Sequence, residues 1–167
     1  YGLSRTPLRE VFQGLAGQGY LVIEPHRGTV VAPLGVPQIH QFLRSAPLLS
    51  VTAARLAAEA PASKDMAALE QAQDRYGRAI GAGDPAAGVL ANHDFHMQIA
   101  RLCGNAYIWP AVVRMLMDHT RLLSMFYEGT SKKGKKRGRQ AADQHDALIA
   151  AIDAGDAEAA ARIALEH

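Results

Sequence analysis

A chain of 167 residues, 49% of them hydrophobic and 20% charged, suits one ordinary globular domain, or one domain with part of another, and is not the composition of a disordered polymer. No apolar run approaches bilayer-spanning length and no signal-peptide pattern opens the sequence, so no membrane partner is expected; the single cysteine, Cys103, excludes an internal disulfide and any multi-cysteine zinc motif, and fits a reducing cytoplasm. The net charge of +2 is unevenly spread: six of the 18 Lys and Arg residues fall in Lys132–Arg139, leaving 12 basic against 16 acidic residues elsewhere, which excludes a general basic surface and confines any nucleic-acid contact to a local element.

The first stretch reads as a helix. Leu8, Val11, Phe12 and Leu15 recur at helical spacing and predict burial on one side, with Ser4 or Thr6 as cap and Pro7 in the first turn. The opposite face carries Thr6, Arg9 and Gln13, with Arg5 at the tip. Hydroxyl, guanidinium and amide groups at a helix N-terminal end are the chemistry that reads a major groove. Two β-prone runs, Tyr20–Glu24 and Thr29–Pro33, flank Pro25-His26-Arg27-Gly28 and predict a hairpin with His26 and Arg27 at its tip. Helix followed by hairpin is the layout of a winged helix-turn-helix.

The run Ser4-Arg5-Thr6-Pro7-Leu8-Arg9-Glu10, followed by Gly19-Tyr20-Leu21 and Pro25-His26-Arg27-Gly28, resembles the DNA-binding end of GntR-family bacterial transcription regulators. The resemblance implies that Ser4, Arg5, Thr6 and Arg9 meet operator DNA, and that the wing tip of His26, Arg27 and Gly28 reaches the minor groove. That family places two further helices ahead of this run. Residues 1–34 are therefore expected to be the C-terminal part of the motif.

From residue 35 the pattern is helical to the end. Pro37 starts a segment running to about Ala60, with a kink or break expected at Pro47 near Ala46. Asp65–Ile80, closed by Gly81-Ala82-Gly83, is a second helix. Asp84-Pro85 caps a third, which Gly104-Asn105 stops. Ala106–Tyr127 is a fourth. Residues 129–139 are expected to form a loop; its Lys132–Arg139 run reads as a phosphate-binding strip, a partner site or a mobile loop, and Gly134 and Gly138 among the cations with no aromatic beside them favour the mobile loop. Gln140–Ala154 and Asp156–His167, around Gly155, complete the set. The fold class expected is mainly α: a partial winged helix-turn-helix, then an all-α antiparallel bundle over 35–167.

Asn92 and His96 are four apart and share one helical face. Such a pair is more often solvated than metal-ligating. Asn92-x-x-Phe95-His96, Cys103-Gly104-Asn105, His145-Asp146-Ala147-Leu148-Ile149, Ala154-Gly155-Asp156-Ala157-Glu158-Ala159-Ala160 and His167 together resemble the FCD effector domain of the FadR subfamily of GntR regulators. The resemblance implies a divalent metal held by Asn92, His96, His145 and His167, and a small carboxylate effector held with its help. Neutral imidazoles and an amide oxygen suit zinc or nickel, although the amide binds a cation less strongly than a carboxylate. By the same alignment an Arg and a Glu usual in relatives fall at Ala46 and Ser50. Arg121, with Arg114 seven residues earlier, is the candidate to clamp an effector carboxylate. Trp109, Met115, Met117 and Met125 are expected in the core or an interface.

The function this implies is a cytoplasmic, homodimeric regulator that binds operator DNA and answers to a small organic acid, with repression as the expected sign. The alternatives are a metal-dependent hydrolase-like enzyme built on the bundle, or a dimerisation module without metal. No carboxylate is tied by spacing to the histidines as a general base, Asp94 being two residues from either candidate ligand, so an enzyme is not expected.

Overall fold

The computed structural model describes residues 5–25, 27–61, 65–126 and 131–167. The chain divides into two compact units, 1–40 and 41–167.

In the first unit, α1 (Arg5–Gly17) is followed by a two-stranded antiparallel sheet, β1 (Leu21–Glu24) and β2 (Gly28–Val31). Leu21 pairs with Val31 and Glu24 with Gly28. Gly28 has φ +92°, a conformation that a side chain disfavours, and it lets the chain enter β2 straight from the turn. The α1 amphipathicity is present but its burial is partial. Leu8 and Leu15 are half-buried, whereas Val11 and Phe12 remain 54% and 41% exposed.

The second unit is all-helical among the described residues. It holds α2 (Val36–Glu59) from Gln41 onward, α3 (Ala67–Ala82), α4 (Pro85–Cys103), α5 (Trp109–Phe126), α6 (Lys132–Asp153) and α7 (Ala157–Glu166). Helices α3–α4, α4–α5 and α6–α7 pack on one another in chain order, and α6 returns to lie on α3. Ala53, Ala54, Ala57 and Ala58 give α2 a smooth buried face, against which Leu69, Phe95, Leu116, Leu148 and Ile152 form the core. Alanine there is buried at no side-chain entropy cost. Ends are set by local chemistry: Asp84 accepts from the Ala87 N–H ahead of Pro85, and Asp156 from the Ala159 N–H.

Two expectations change. Helix α2 runs unbroken through Pro47. Leu43 and Pro47 are both exposed, so the carbonyl that loses its partner can be hydrated rather than stranded. The expected loop at 129–139 is helical from Lys132, with Ser131 as N-cap accepting from the Gly134 N–H at 2.9 Å. The glycines are the reason. Gly138 is buried, a Cβ there would lie 2.8 Å from Ile80 Cδ1, and Tyr76 donates its O–H to the Gly138 carbonyl at 3.4 Å. Close packing on α3 outweighs a helix-propensity cost of about 1 kcal/mol per glycine. Of the residues expected in the core or an interface, Met115 is buried and Trp109 packs on the core, while Met117 and Met125 are 38% and 61% exposed.

Candidate functional site

Three imidazoles from three segments converge inside the second unit. His96 comes from α4, His145 from α6, and His167 closes α7. One ring nitrogen from each lies within 4.8 Å of the others. Ring centroids are separated by 5.4 Å for His96–His145, 5.1 Å for His96–His167 and 4.8 Å for His145–His167. The spacing of the sequence alone does not bring them together; the return of α6 and α7 does.

Each surrounding contact orients a nitrogen. Gln73 donates its amide to the Ala142 carbonyl at 3.0 Å and to Asp146 Oδ1 at 2.8 Å, which leaves Oε1 facing His145 Nδ1 at 2.9 Å. An amide oxygen only accepts, so Nδ1 carries the proton and Nε2 keeps its lone pair. Phe95 stacks on the same ring at 3.8 Å between centroids. His167 Nδ1 is paired in the same way with Gln144 Oε1 at 3.0 Å. His96 Nε2 and His145 Nε2 are buried without a hydrogen-bond partner. Two orphaned buried nitrogens are costly, on the order of 1–3 kcal/mol each.

The electrostatics keep these rings neutral. Burial, then the neighbouring His167 and His145, hold the His96 imidazole well below its ordinary pKa. Burial, then His167, pushes His145 down to about 3. His167 is exposed as a residue, yet its imidazole lies between two buried rings, and burial followed by His119 pushes its pKa down to about 4. At neutral pH the cluster therefore offers lone pairs, not charges. That donor set fits a borderline divalent cation such as zinc or nickel.

Asn92 sits one turn before His96 and is 6% exposed. It lines a cavity of about 400 Å³ together with His119, His167, Lys133 and Arg137. A second cavity, of about 230 Å³, opens on the other side and is lined by His96, His119 and His167 with Ala46, Ser50 and a largely apolar wall. His119 on α5 thus borders both, and burial, then His93, lowers its pKa. Sequence reasoning passes over His119; its distance of 23 residues from His96 carries no periodic signal, and only the packing of α4 on α5 brings their rings to 6.1 Å.

Arg121 is not placed at either cavity. It donates to Asp118 Oδ1 at 3.1 Å on its own helix, and Arg114 pairs with Asp118 Oδ2 at 3.1 Å. The cations that do line a cavity are Lys133 and Arg137, from the segment expected to be a loop. Asp94 pairs with Arg75 at 3.5 Å on the exposed side of α4, away from the histidines. In the first unit Thr6, Arg9 and Gln13 are all exposed on α1, and Arg27 and Gly28 are exposed at the hairpin. Ser4, His26 and the side chain of Arg5 lie outside the described residues. Among the described residues, no helix is long and apolar enough to cross a membrane.

Comparison with known proteins bears on both units. The FCD domain model matches residues 47–167. A protein of Paenarthrobacter nicotinovorans described as a probable D-xylose utilization operon transcriptional repressor is 26% identical over 166 residues, covering 99% of this chain and 70% of that protein. The fold is similar to that of E. coli McbR/YncC, with a TM-score of 0.82 at 22% identity over 99% of this chain and 81% of the other. It is also similar to a Streptococcus agalactiae GntR structure, with a TM-score of 0.63 at 21% identity over 99% of this chain and 79% of that one.

Proposed function

We propose, on the premise that this chain belongs to the GntR-family transcription regulators with an FCD domain, that it is a ligand-responsive repressor whose helical unit binds a divalent metal and, with it, a small carboxylate. The observation that carries this reading is the pair of buried, unpartnered nitrogens, His96 Nε2 and His145 Nε2, on two rings of a three-histidine cluster in which one nitrogen of each ring lies within 4.8 Å of the others. A cation is the simplest group that satisfies both at once. His96, His145 and His167 would hold it, with Asn92 as the fourth ligand one turn before His96. When bound, it supplies a Lewis-acid position for a carboxylate oxygen.

The remaining roles belong to the chain's own side chains. Gln73 and Gln144 fix the ring orientations of His145 and His167, as residues behind metal-binding histidines commonly do. On α1, Thr6 and Arg9 present a hydroxyl and a guanidinium for base edges and phosphates, and Ser4 and Arg5 are assigned the same task. His26, Arg27 and Gly28 serve the wing. Operator recognition by a homodimer follows the usual match of two-fold symmetric protein to two half-sites. An effector alters operator affinity only by binding one arrangement of the DNA-reading units better than another. The repressing sign is supported by the description of the Paenarthrobacter relative.

Metal analysis of the purified, reconstituted protein tests this reading. About one divalent ion per chain is expected, lost in the double variant His96→Ala with His145→Ala. Absence of metal after reconstitution with both zinc and nickel overturns it.

A further inference from the structure

The two cavities that share His119 and His167 make opposite demands on an occupant. The larger one is lined by Lys133 and Arg137, four residues apart on α6. Both are exposed, so their charges are already solvated and screened, and an anion gains little there. The smaller one is different. Among the described residues, no Lys, Arg, Asp or Glu lines it. Its floor is made by buried core side chains, among them Ala54, Ile99, Val112 and Leu148, and its mouth by the exposed Leu43 and Leu165. The polar groups on its wall are Ser50 and the imidazoles of His96, His119 and His167. His96 contributes one of the buried, unpartnered nitrogens.

We infer that the effector is a compact monocarboxylic acid with an apolar body, seated in this smaller cavity with its carboxylate toward the histidines. The inference rests on the metal-and-carboxylate reading above and narrows it. An apolar wall gives such a ligand hydrophobic stabilisation for each methylene it covers. A second carboxylate, or the several hydroxyls of a sugar, loses its hydration there and meets no cation on the wall, where among the described residues Ser50 and the imidazoles are the polar side chains. At about 230 Å³ the cavity lies just below the usual range for small-molecule pockets, about 300–1,000 Å³, so the acid is small.

The test is a calorimetric titration of the nickel- or zinc-loaded protein with straight-chain monocarboxylates from acetate to hexanoate, with succinate, glutarate and D-xylose in parallel, and metal content assayed in each sample. Affinity should rise about three- to fourfold per methylene until the cavity is full, and glutarate should bind at least tenfold more weakly than valerate. Ala46→Arg, which places a cation on the wall, should narrow or reverse that gap while metal content stays the same. Ala54→Leu, which fills the floor, or the milder Ala164→Val should abolish the chain-length dependence. A flat series on metal-loaded protein overturns the inference and leaves the metal reading standing. Tighter glutarate binding that disappears in Lys133→Ala with Arg137→Ala moves the effector to the larger cavity. Tighter binding of D-xylose than of any acid overturns the inference as well. Failure to take up metal at all counts against the underlying reading, and chain-length dependence in metal-free protein would show an apolar pocket acting without it.

Discussion

His145 and Gln73 form a buried pair in which the ring Nδ1–H donates to the amide oxygen at 2.9 Å, and this bond leaves Nε2 as the nitrogen with a free lone pair. Gln73 is fixed in turn by Ala142 and Asp146. Replacing Gln73 by Met keeps its bulk and removes the acceptor. Metal affinity is expected to fall about 10- to 100-fold with the helical circular-dichroism spectrum retained. Competition against a chelator of known affinity measures it; an unchanged affinity would mean that Gln73 does not set the ring.

The metal-free protein should lose stability in mild acid. The folded-state pKa values of His145 and His167 are depressed, to about 3 and about 4, while the unfolded chain titrates near 6.5. Between those values the unfolded chain binds protons that the folded one refuses. Stability therefore falls as pH drops through about 6.5, and the loss levels off below the folded-state values. For His145, which is fully buried, the loss over the whole window is on the order of a few kcal/mol. Imidazole NMR titration of the metal-free protein should find His145 still neutral at pH 5.5 and His96 titrating below its ordinary range. Ordinary titration of both near 6.5 would sink this prediction.

Two glycines on helices in contact, α3 and α6, should respond in opposite directions to alanine. Around Gly77 in α3 nothing lies within 4 Å of where a Cβ would stand, so Gly77→Ala should stabilise by about 0.5–1 kcal/mol through helix propensity. At Gly138 in α6 the same change meets Ile80 Cδ1 at 2.8 Å. Overpacking costs about 1–3 kcal/mol, which exceeds the propensity gain, so Gly138→Ala should lower the midpoint of chemical unfolding. Equal shifts of the same sign in both variants would contradict the close approach of α6 to α3.

Arg9 is exposed on the α1 face that also carries Thr6 and Gln13. Arg9→Ala should weaken operator binding by about 1–3 kcal/mol, with effector present or absent. Fluorescence anisotropy on a labelled operator measures this at fixed salt. Unchanged affinity would remove α1 from the groove.

Much of the architecture is legible in the sequence alone. Asp84-Pro85 and Gly104 delimit α4 because caps and stops act over one turn of chain, and the Tyr20–Pro33 hairpin follows from β-branched residues around a Pro/Gly turn. The basic run misleads because local propensity treats Gly134 and Gly138 as breakers, whereas at Gly138 the missing Cβ lets Ile80 and Tyr76 approach. Likewise, helical periodicity predicts burial for Val11 and Phe12, but periodicity reports which side is apolar and not whether anything covers it.

The sequence by itself determined where most helices start and stop and, through short-range spacing, that Asn92 and His96 share a face. Only the tertiary structure decided that His145 and His167 join His96, that His119 lines both a largely apolar cavity and one carrying charged side chains, and that Arg121 pairs with Asp118 on its own helix. The reason is range. Caps and periodicity are settled within a few residues of chain, while a site built from side chains 49 and 71 positions from His96 exists only once the helices have packed.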